Sequence, residues 1–209
     1  MNKELVEYIH GLPIPPVLDV RGEWVHCNNL RVASTSINIG VLRQRIIIHN
    51  RGHRNWDRVW QEIIVPHWDR LVLFSFVRNP WDKVCSAFHH CRDRARNREN
   101  KIDKKWTFND WVQKVLAVKG TSVNRHFYPQ YDNVCFRGGF IPGMFVGRFE
   151  RIDRDWNTIA TKLGIKTRLP KTNKGDQGSY VKKYDSRSRQ IVSELYAPEI
   201  ELLGYRFGK

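Results

Sequence analysis

The sequence predicts an α/β fold with a mainly parallel central sheet flanked by helices, and two observations carry that prediction. Short β-branched and aromatic runs alternate with stretches whose apolar residues fall at helical spacing, the pattern of successive strand–helix units. In addition, "LVLFSFVRNPWDKVCSAF" runs a nearly unbroken apolar strand, 71–77, straight into a helix opened by Pro80. A chain of 209 residues is long enough for one domain with a real core. We divide it into an N-terminal arm, 1–22, and a single domain, 23–209.

In chain order, "MNKELVEYIH" is a short amphipathic opening, and the Pro-rich "GLPIPPVLD" reads as an extended arm over the surface. "EWVHCN" is strand-like and "NLRVASTSIN" a polar turn; "INIGVLRQR" places Ile37, Val41 and Leu42 at helical spacing; "RIIIHN" is a short strand. "RNWDRVWQEIIVPHW" puts Trp56, Val59, Trp60 and Ile63 on one helical face, with Asn55 as its cap. After the strand 71–77 and its helix comes a charged loop, then "TFNDWVQKVLAV", a helix capped by Thr107 or Asn109. "GMFVGRFE" is another buried strand. "RDWNTIATKLGI" turns Trp156, Ile159 and Leu163 inward, and the last helix starts at Asp185 with Ile191, Val192, Leu195 and Tyr196 inward.

Composition narrows the function classes. With 41% hydrophobic and 27% charged residues the chain is a folding sequence, not a disordered one. No apolar run approaches the ~18–20 residues that span a bilayer. The opening residues carry Glu4 and Glu7 and lack the long apolar core of a signal peptide. Cys27, Cys85, Cys91 and Cys135 have no CxxC spacing and read as reduced core thiols of a cytoplasmic protein, with no metal site. Against 21 acidic residues stand 36 basic ones, a net charge of +15, which calls for an anionic partner without choosing among nucleic acid, membrane surface, nucleotide and acidic sugar. The densest basic run, "HHCRDRARNRENKIDKK", is interleaved with acids and reads as a solvated face.

In parallel sheets ligands gather beyond the carboxyl ends of the strands, so the residues following each strand matter most. In "NLRVASTSIN", Arg31 precedes the small residues Ala33, Ser34, Thr35 and Ser36, which enter a helix. Small residues let the backbone approach a ligand, and successive N–H groups with a helix N-terminus form an anion cradle that the hydroxyls extend. The logic is that of a P-loop without GxxxxGK[ST]; an ordinary Ser/Thr capping cluster is the alternative. At the second junction Arg78 leaves the strand and Ser86 lies two turns into the helix. A guanidinium fork and a hydroxyl converging on one point suit a phosphate monoester. The alternative is a structural ion pair of Arg78 with Asp82 or Asp69.

Together "LRVASTS" and "FSFVRNPWDKVCSAF" resemble the 5′-phosphosulfate loop and 3′-phosphate motif of sulfotransferases that use 3′-phosphoadenosine 5′-phosphosulfate (PAPS). The match is closest to the group 2 carbohydrate-type enzymes and their small bacterial relatives. The resemblance continues, in the family's order, through "HFYPQYD", "FVGRFERIDRDW", "LPKTNKG" and "YVKKYDSRSRQIVSELYAPEIELLGYRF". It implies a P-loop-like three-layer fold and transfer of a sulfuryl group from PAPS to a hydroxyl acceptor, with PAP as product and no metal. Arg31, Ala33, Ser34, Thr35 and Ser36 would hold the 5′-phosphosulfate; Arg78 and Ser86 would hold the 3′-phosphate. His53, in the family's Gly-His loop, would be the base, with His49 as the alternative, and Arg31 would act on the leaving oxygen. His126 and Gln130 match H-x-x-P-Q and would line the acceptor side, a structural hydrogen bond being the other role open to His126. Arg148 and Glu150 match a strand-end position that suits an internal ion pair. Lys171, Asn173 and Lys174 would close over the nucleotide.

One departure concerns Leu30-Arg31, where the family usually has Pro-Lys; Arg is also a cation, but its planar fork is larger and differently aimed. The acceptor class expected is a carbohydrate, acidic or neutral, with specificity in the irregular middle third. Two other readings compete. A nucleotide-dependent phosphotransferase lacks its Gly-rich loop with Lys and a clear Mg²⁺-binding Asp. A non-catalytic nucleic-acid- or PAP-binding protein would explain the charge, but the Trp residues pattern inward instead of interleaving with cations on one face. The residues say nothing of oligomeric state.

Overall fold

The computed structural model describes residues 2–19, 21–42, 47–48, 54–93, 101–166, 168–169 and 179–209. Its residues group into two compact units, Met1–Val77 with Asp132–Asn173, and Arg78–Tyr131 with Lys174–Lys209.

The first unit is built on a sheet. It opens with α1 (Lys3–His10), capped where the Asn2 side chain accepts the Leu5 N–H at 3.2 Å. Next come β1 (Val17–Asp19) and β2 (Trp24–His26), followed by α2 (Ser34–Leu42) and β3 (Ile47–Ile48). Helix α3 (Trp56–Val59) runs into a wide π turn, Trp60–Ile64, and a 3₁₀ turn, Val65–Arg70. Pro66 has no N–H to continue the α ladder, and the Val65 N–H reaches back five residues to Trp60. Strand β4 (Val72–Val77) leads out of this part of the unit.

Among the described residues the sheet order is β3-β1-β2-β4 and then β7 (Phe145–Arg148). The pairs β2–β4 and β4–β7 are parallel, whereas β1 is antiparallel to both β2 and β3. Every strand but β1 therefore points the same way, which makes the sheet mostly parallel. The hairpin of β5 (Cys135–Phe136) and β6 (Gly139–Phe140) turns through Arg137 and Gly138, both left-handed (φ +52° and +81°), as tight two-residue turns require. Helix α7 (Ile152–Lys162) ends the unit's regular structure.

The pleat sorts the side chains onto two faces. Leu18, Val25 and Leu73 pack with α1 and with Trp56, Trp60 and Trp68. Val17, Trp24, Phe74 and Phe76 face Ile37 of α2 and Trp156 and Ile159 of α7. Helices thus cover both faces, which is why these strands read as near-continuous apolar runs.

The Pro-rich stretch after the amphipathic opening differs from the extended surface arm expected. Leu5, Val6, Ile9, Leu12 and Ile14 are all buried, and Val17–Asp19 forms a strand. Leu5, Val6 and Ile9 share one side of a helix, and burying that stripe outweighs solvating a Pro-rich run.

The second unit is helical. Helix α4 (Pro80–Asp93) is followed by α5 (Phe108–Trp111), a π turn Val112–Leu116 and α6 (Ala117–Lys119), and later by α8 (Ser186–Leu195) and α9 (Ala197–Leu203). Thr107 caps α5 by accepting the Asp110 N–H at 3.2 Å, and Asp185 caps α8 by accepting that of Ser188 at 2.7 Å. Phe88 of α4 packs on Phe108 and Trp111, and the Tyr184 and Trp81 side chains donate to the carbonyls of Trp81 and Arg189. The four cysteines are buried and form no disulfide; burial pushes the Cys27 thiol up to about 12 and that of Cys85 up to about 11. Among the described residues no helix is long and apolar enough to cross a membrane.

Candidate functional site

Strand β2 ends beside β4, its neighbour in parallel, and the Cys27 N–H extends the ladder to the Phe74 carbonyl at 2.9 Å. Just past it a buried polar ladder fixes the exit. The Asn29 amide donates to Ser75 Oγ at 3.1 Å and to the Phe76 carbonyl at 3.0 Å. Ser75 Oγ in turn donates to the Cys27 carbonyl at 2.6 Å, and the Asn133 amide donates to Asn29 Oδ1 at 2.7 Å. These bonds satisfy groups that would be costly to bury unpaired, and they pin the start of the 28–33 loop to the carboxyl end of β4.

Within that loop Arg31 and Ala33 both take positive φ, +65° and +54°. An L-residue pays steric strain there, and left-handed turn residues orient their N–H groups toward anion-binding concavities. Val32 between them is buried as an anchor. Helix α2 starts at once: the Ile37 N–H donates to the Ala33 carbonyl at 3.0 Å. Ser36 is buried, Ser34 half-buried and Thr35 exposed. Beside the loop His26, the last residue of β2, stacks on Phe74 with ring centroids 4.7 Å apart and planes 5° from parallel. Burial drives its pKa from 6.5 down to about 4, partly opposed by the Asn38 side chain, so His26 is a neutral ring in the fold.

The second predicted cradle lies at the head of the helical unit. Arg78 Nε donates to Asp82 Oδ2 at 2.7 Å, an i,i+4 pair with side chains 11% and 20% exposed. The structural ion pair considered from the sequence is thus present, and it holds the guanidinium by one edge. Asn79 is the cap of α4: its Oδ1 accepts the Trp81 N–H at 3.2 Å, and its amide donates to the carbonyls of Arg206 and Lys209 at 2.9 and 3.1 Å. Ser86 is buried on α4.

Gln130 is fully buried, and its amide clasps the main chain of Arg78. That position suits a brace, in contrast to the acceptor-lining role implied by its motif. His126 sits in a 3₁₀ turn, its N–H held by Asn124 Oδ1 at 2.9 Å and its ring 4.9 Å from that of His90. Lys83 and Glu199 are buried charges in the same unit. Burial lowers the Lys83 pKa from 10.5 to about 8 against the pull of Glu199, and burial raises that of Glu199 against the pull of Lys83. Lys83 Nζ donates to the Tyr128 carbonyl at 2.7 Å.

At the end of β7, Asp155 is the group that organises the turn. It accepts the Arg148 N–H at 2.7 Å and the Arg151 guanidinium at 2.9 Å. His53, His49, Lys171, Asn173 and Lys174 lie outside the described residues. Among the described residues no three His, Cys, Asp or Glu side chains are grouped to hold a metal ion.

Sequence reasoning missed Asn29, Ser75, Asn133, Lys83 and Glu199. Ser75 carried a usable signal, a hydroxyl inside the apolar "LFSFV"; the partners of the others lie 45 to 104 residues away and leave no local trace.

No curated protein and no solved structure matches the chain. The family model described as "Sulfotransferase family" matches residues 38–206, from the middle of α2 to close to the C-terminus. That is most of the chain, and it takes in β4, Arg78, Ser86 and the turn at Gln130. The chain belongs to the sulfotransferase family.

Proposed function

We propose that this protein transfers a sulfuryl group from PAPS to a hydroxyl acceptor, a carbohydrate, and that its fold is the P-loop-like three-layer type. The supporting observation is the pair of left-handed residues, Arg31 and Ala33, in the turn after β2, next to the parallel strand β4 whose chain continues into Arg78. Strain of that kind persists where a backbone must face a ligand, and anions collect at this end of a parallel sheet.

In this reading the N–H groups of 31–36 and the hydroxyls of Ser34, Thr35 and Ser36 hold the 5′-phosphosulfate. Arg31 stabilises the charge that develops on the leaving phosphate oxygen. Arg78 and Ser86 bind the 3′-phosphate, the group that separates PAPS from ATP-like nucleotides. His53 takes the proton of the acceptor hydroxyl as its oxygen attacks sulfur in line; the bond from sulfur to the phosphate oxygen breaks and PAP departs. His126 belongs to the acceptor side.

The decisive experiment incubates the protein with labelled PAPS and a panel of glycans and other hydroxyl acceptors, following label transfer and PAP release. Transfer to a glycan is the expected result. PAP binding without transfer to any acceptor would leave a nucleotide-binding protein and end the enzymatic reading. By calorimetry Arg78→Ala raises the Kd for PAP about 10- to 100-fold, the worth of one charged hydrogen-bonding contact, with the fold intact. An unchanged Kd refutes the 3′-phosphate assignment. His53→Ala lowers the turnover rate by about 10²- to 10⁴-fold with PAP affinity retained.

A further inference from the structure

Arg78 is held along its main chain by a buried side-chain amide. Gln130 Oε1 accepts the Arg78 N–H at 2.7 Å while Gln130 Nε2 donates to the Arg78 carbonyl at 2.8 Å. A side-chain amide here imitates the missing strand partner of a residue that has just left the sheet. The same Nε2 donates to Glu199 Oε1 at 3.0 Å. Glu199 Oε2 accepts the main-chain N–H of Gln130 and, at 3.2 Å, that of Tyr131. One carboxylate, 1% exposed, therefore fixes both the backbone and the side chain of Gln130, itself 0% exposed. Lys83, on the helix that Arg78 precedes, supplies the countercharge that makes a buried carboxylate tolerable.

We propose that Gln130 and Glu199 are positioning residues for the 3′-phosphate contact: the Glu199–Gln130 brace sets the Arg78 backbone, and Asp82 sets its guanidinium. The proposal rests on the reading that Arg78 binds the 3′-phosphate. An arginine fixed at both its main chain and its fork loses little freedom when phosphate arrives, and that saving is what preorganisation adds to affinity. Without the brace, the peptide groups of Arg78 lose partners on both sides and the fork is no longer aimed. A group serving only to hold the fold together would instead affect unfolding and leave nucleotide selectivity untouched.

Selectivity is therefore the quantity to measure. Calorimetric Kd values for PAP and for 5′-AMP, which lacks the 3′-phosphate, give a discrimination ratio for the wild type, Arg78→Ala, Gln130→Leu and Glu199→Gln. Gln130→Leu and Glu199→Gln are each expected to lower that ratio at least about tenfold through weaker PAP binding, with the Kd for AMP unchanged. In the Arg78→Ala background Gln130→Leu should change nothing further, because it acts through Arg78. Should Gln130→Leu fail to fold, Glu199→Gln, which has the same shape, carries the same expectation. An unaltered ratio in the variants that fold, alongside a collapsed ratio in Arg78→Ala, overturns the brace alone. An unaltered ratio in Arg78→Ala overturns the 3′-phosphate reading and the brace with it.

Discussion

His26 shows how one buried ring couples the start of the candidate cradle to pH. Its pKa falls from 6.5 to about 4 because burial against Phe74 disfavours the charged form. Between those values the unfolded chain holds a proton that the folded chain does not, so stability rises with pH through this window and is lost as pH falls from 6.5 toward 4. The full effect is on the order of 3 kcal/mol. Urea titrations across that window should show a falling midpoint for the wild type and a flatter profile for His26→Phe. Equal slopes would mean that His26 does not titrate as a buried group. In the sequence His26 was only one letter of a strand; its burial follows from the stacking of β2 beside β4. Arg78 was legible as a cation at a strand end, but its bond to Gln130, 52 residues further on, was not, because a motif states which residue types recur and not which way they point.

At the scale of elements, the turn 28–33 and the β4–β7 seam are both under steric constraint. Ala33 at φ +54° tolerates glycine but not a β-branched side chain. Ala33→Gly should keep PAP affinity, whereas Ala33→Val should cost about 1–2 kcal/mol of stability and weaken PAP binding; equal behaviour of the two variants would show that the left-handed backbone is not required. On the seam, a Cβ added to Gly147 would overlap the Phe76 ring, standing 2.6 Å from its Cδ1. Gly147→Ala is therefore expected to lower stability by about 1–3 kcal/mol, and Phe76→Leu in the same chain to recover part of that loss in chemical denaturation. A neutral Gly147→Ala would show that the strands separate at little cost. Most strands and helices were visible because each buries a face whose period appears in the sequence, such as Trp156 and Ile159 in α7 with Leu163 at its C-cap. Strand β1 was not: three residues after a Pro-rich run have no period to display, and only pairing with β2 and β3 makes them a strand.

For the molecule as a whole the net charge of +15 acts at a distance. A polyanionic nucleotide should associate faster at low salt, and stopped-flow PAP binding is expected to slow severalfold toward roughly 0.5 M salt as screening shortens the reach of the field. A rate indifferent to salt would mean the excess charge lies where an incoming ligand does not feel it. The sequence by itself determined the alternation of strands and helices, the cationic balance, the small-residue loop and the Arg-led helix. Each of these is a local property, set by neighbours within a turn or two of the chain. Only the tertiary structure decided that β1 runs against its neighbours, that Leu12 and Ile14 of the Pro-rich stretch are buried, and that Asn133 bonds Asn29 and Glu199 bonds Gln130. Those outcomes rest on hydrogen bonds and packing between residues far apart in sequence, where the energy of a contact exists only once the fold has brought its two halves together.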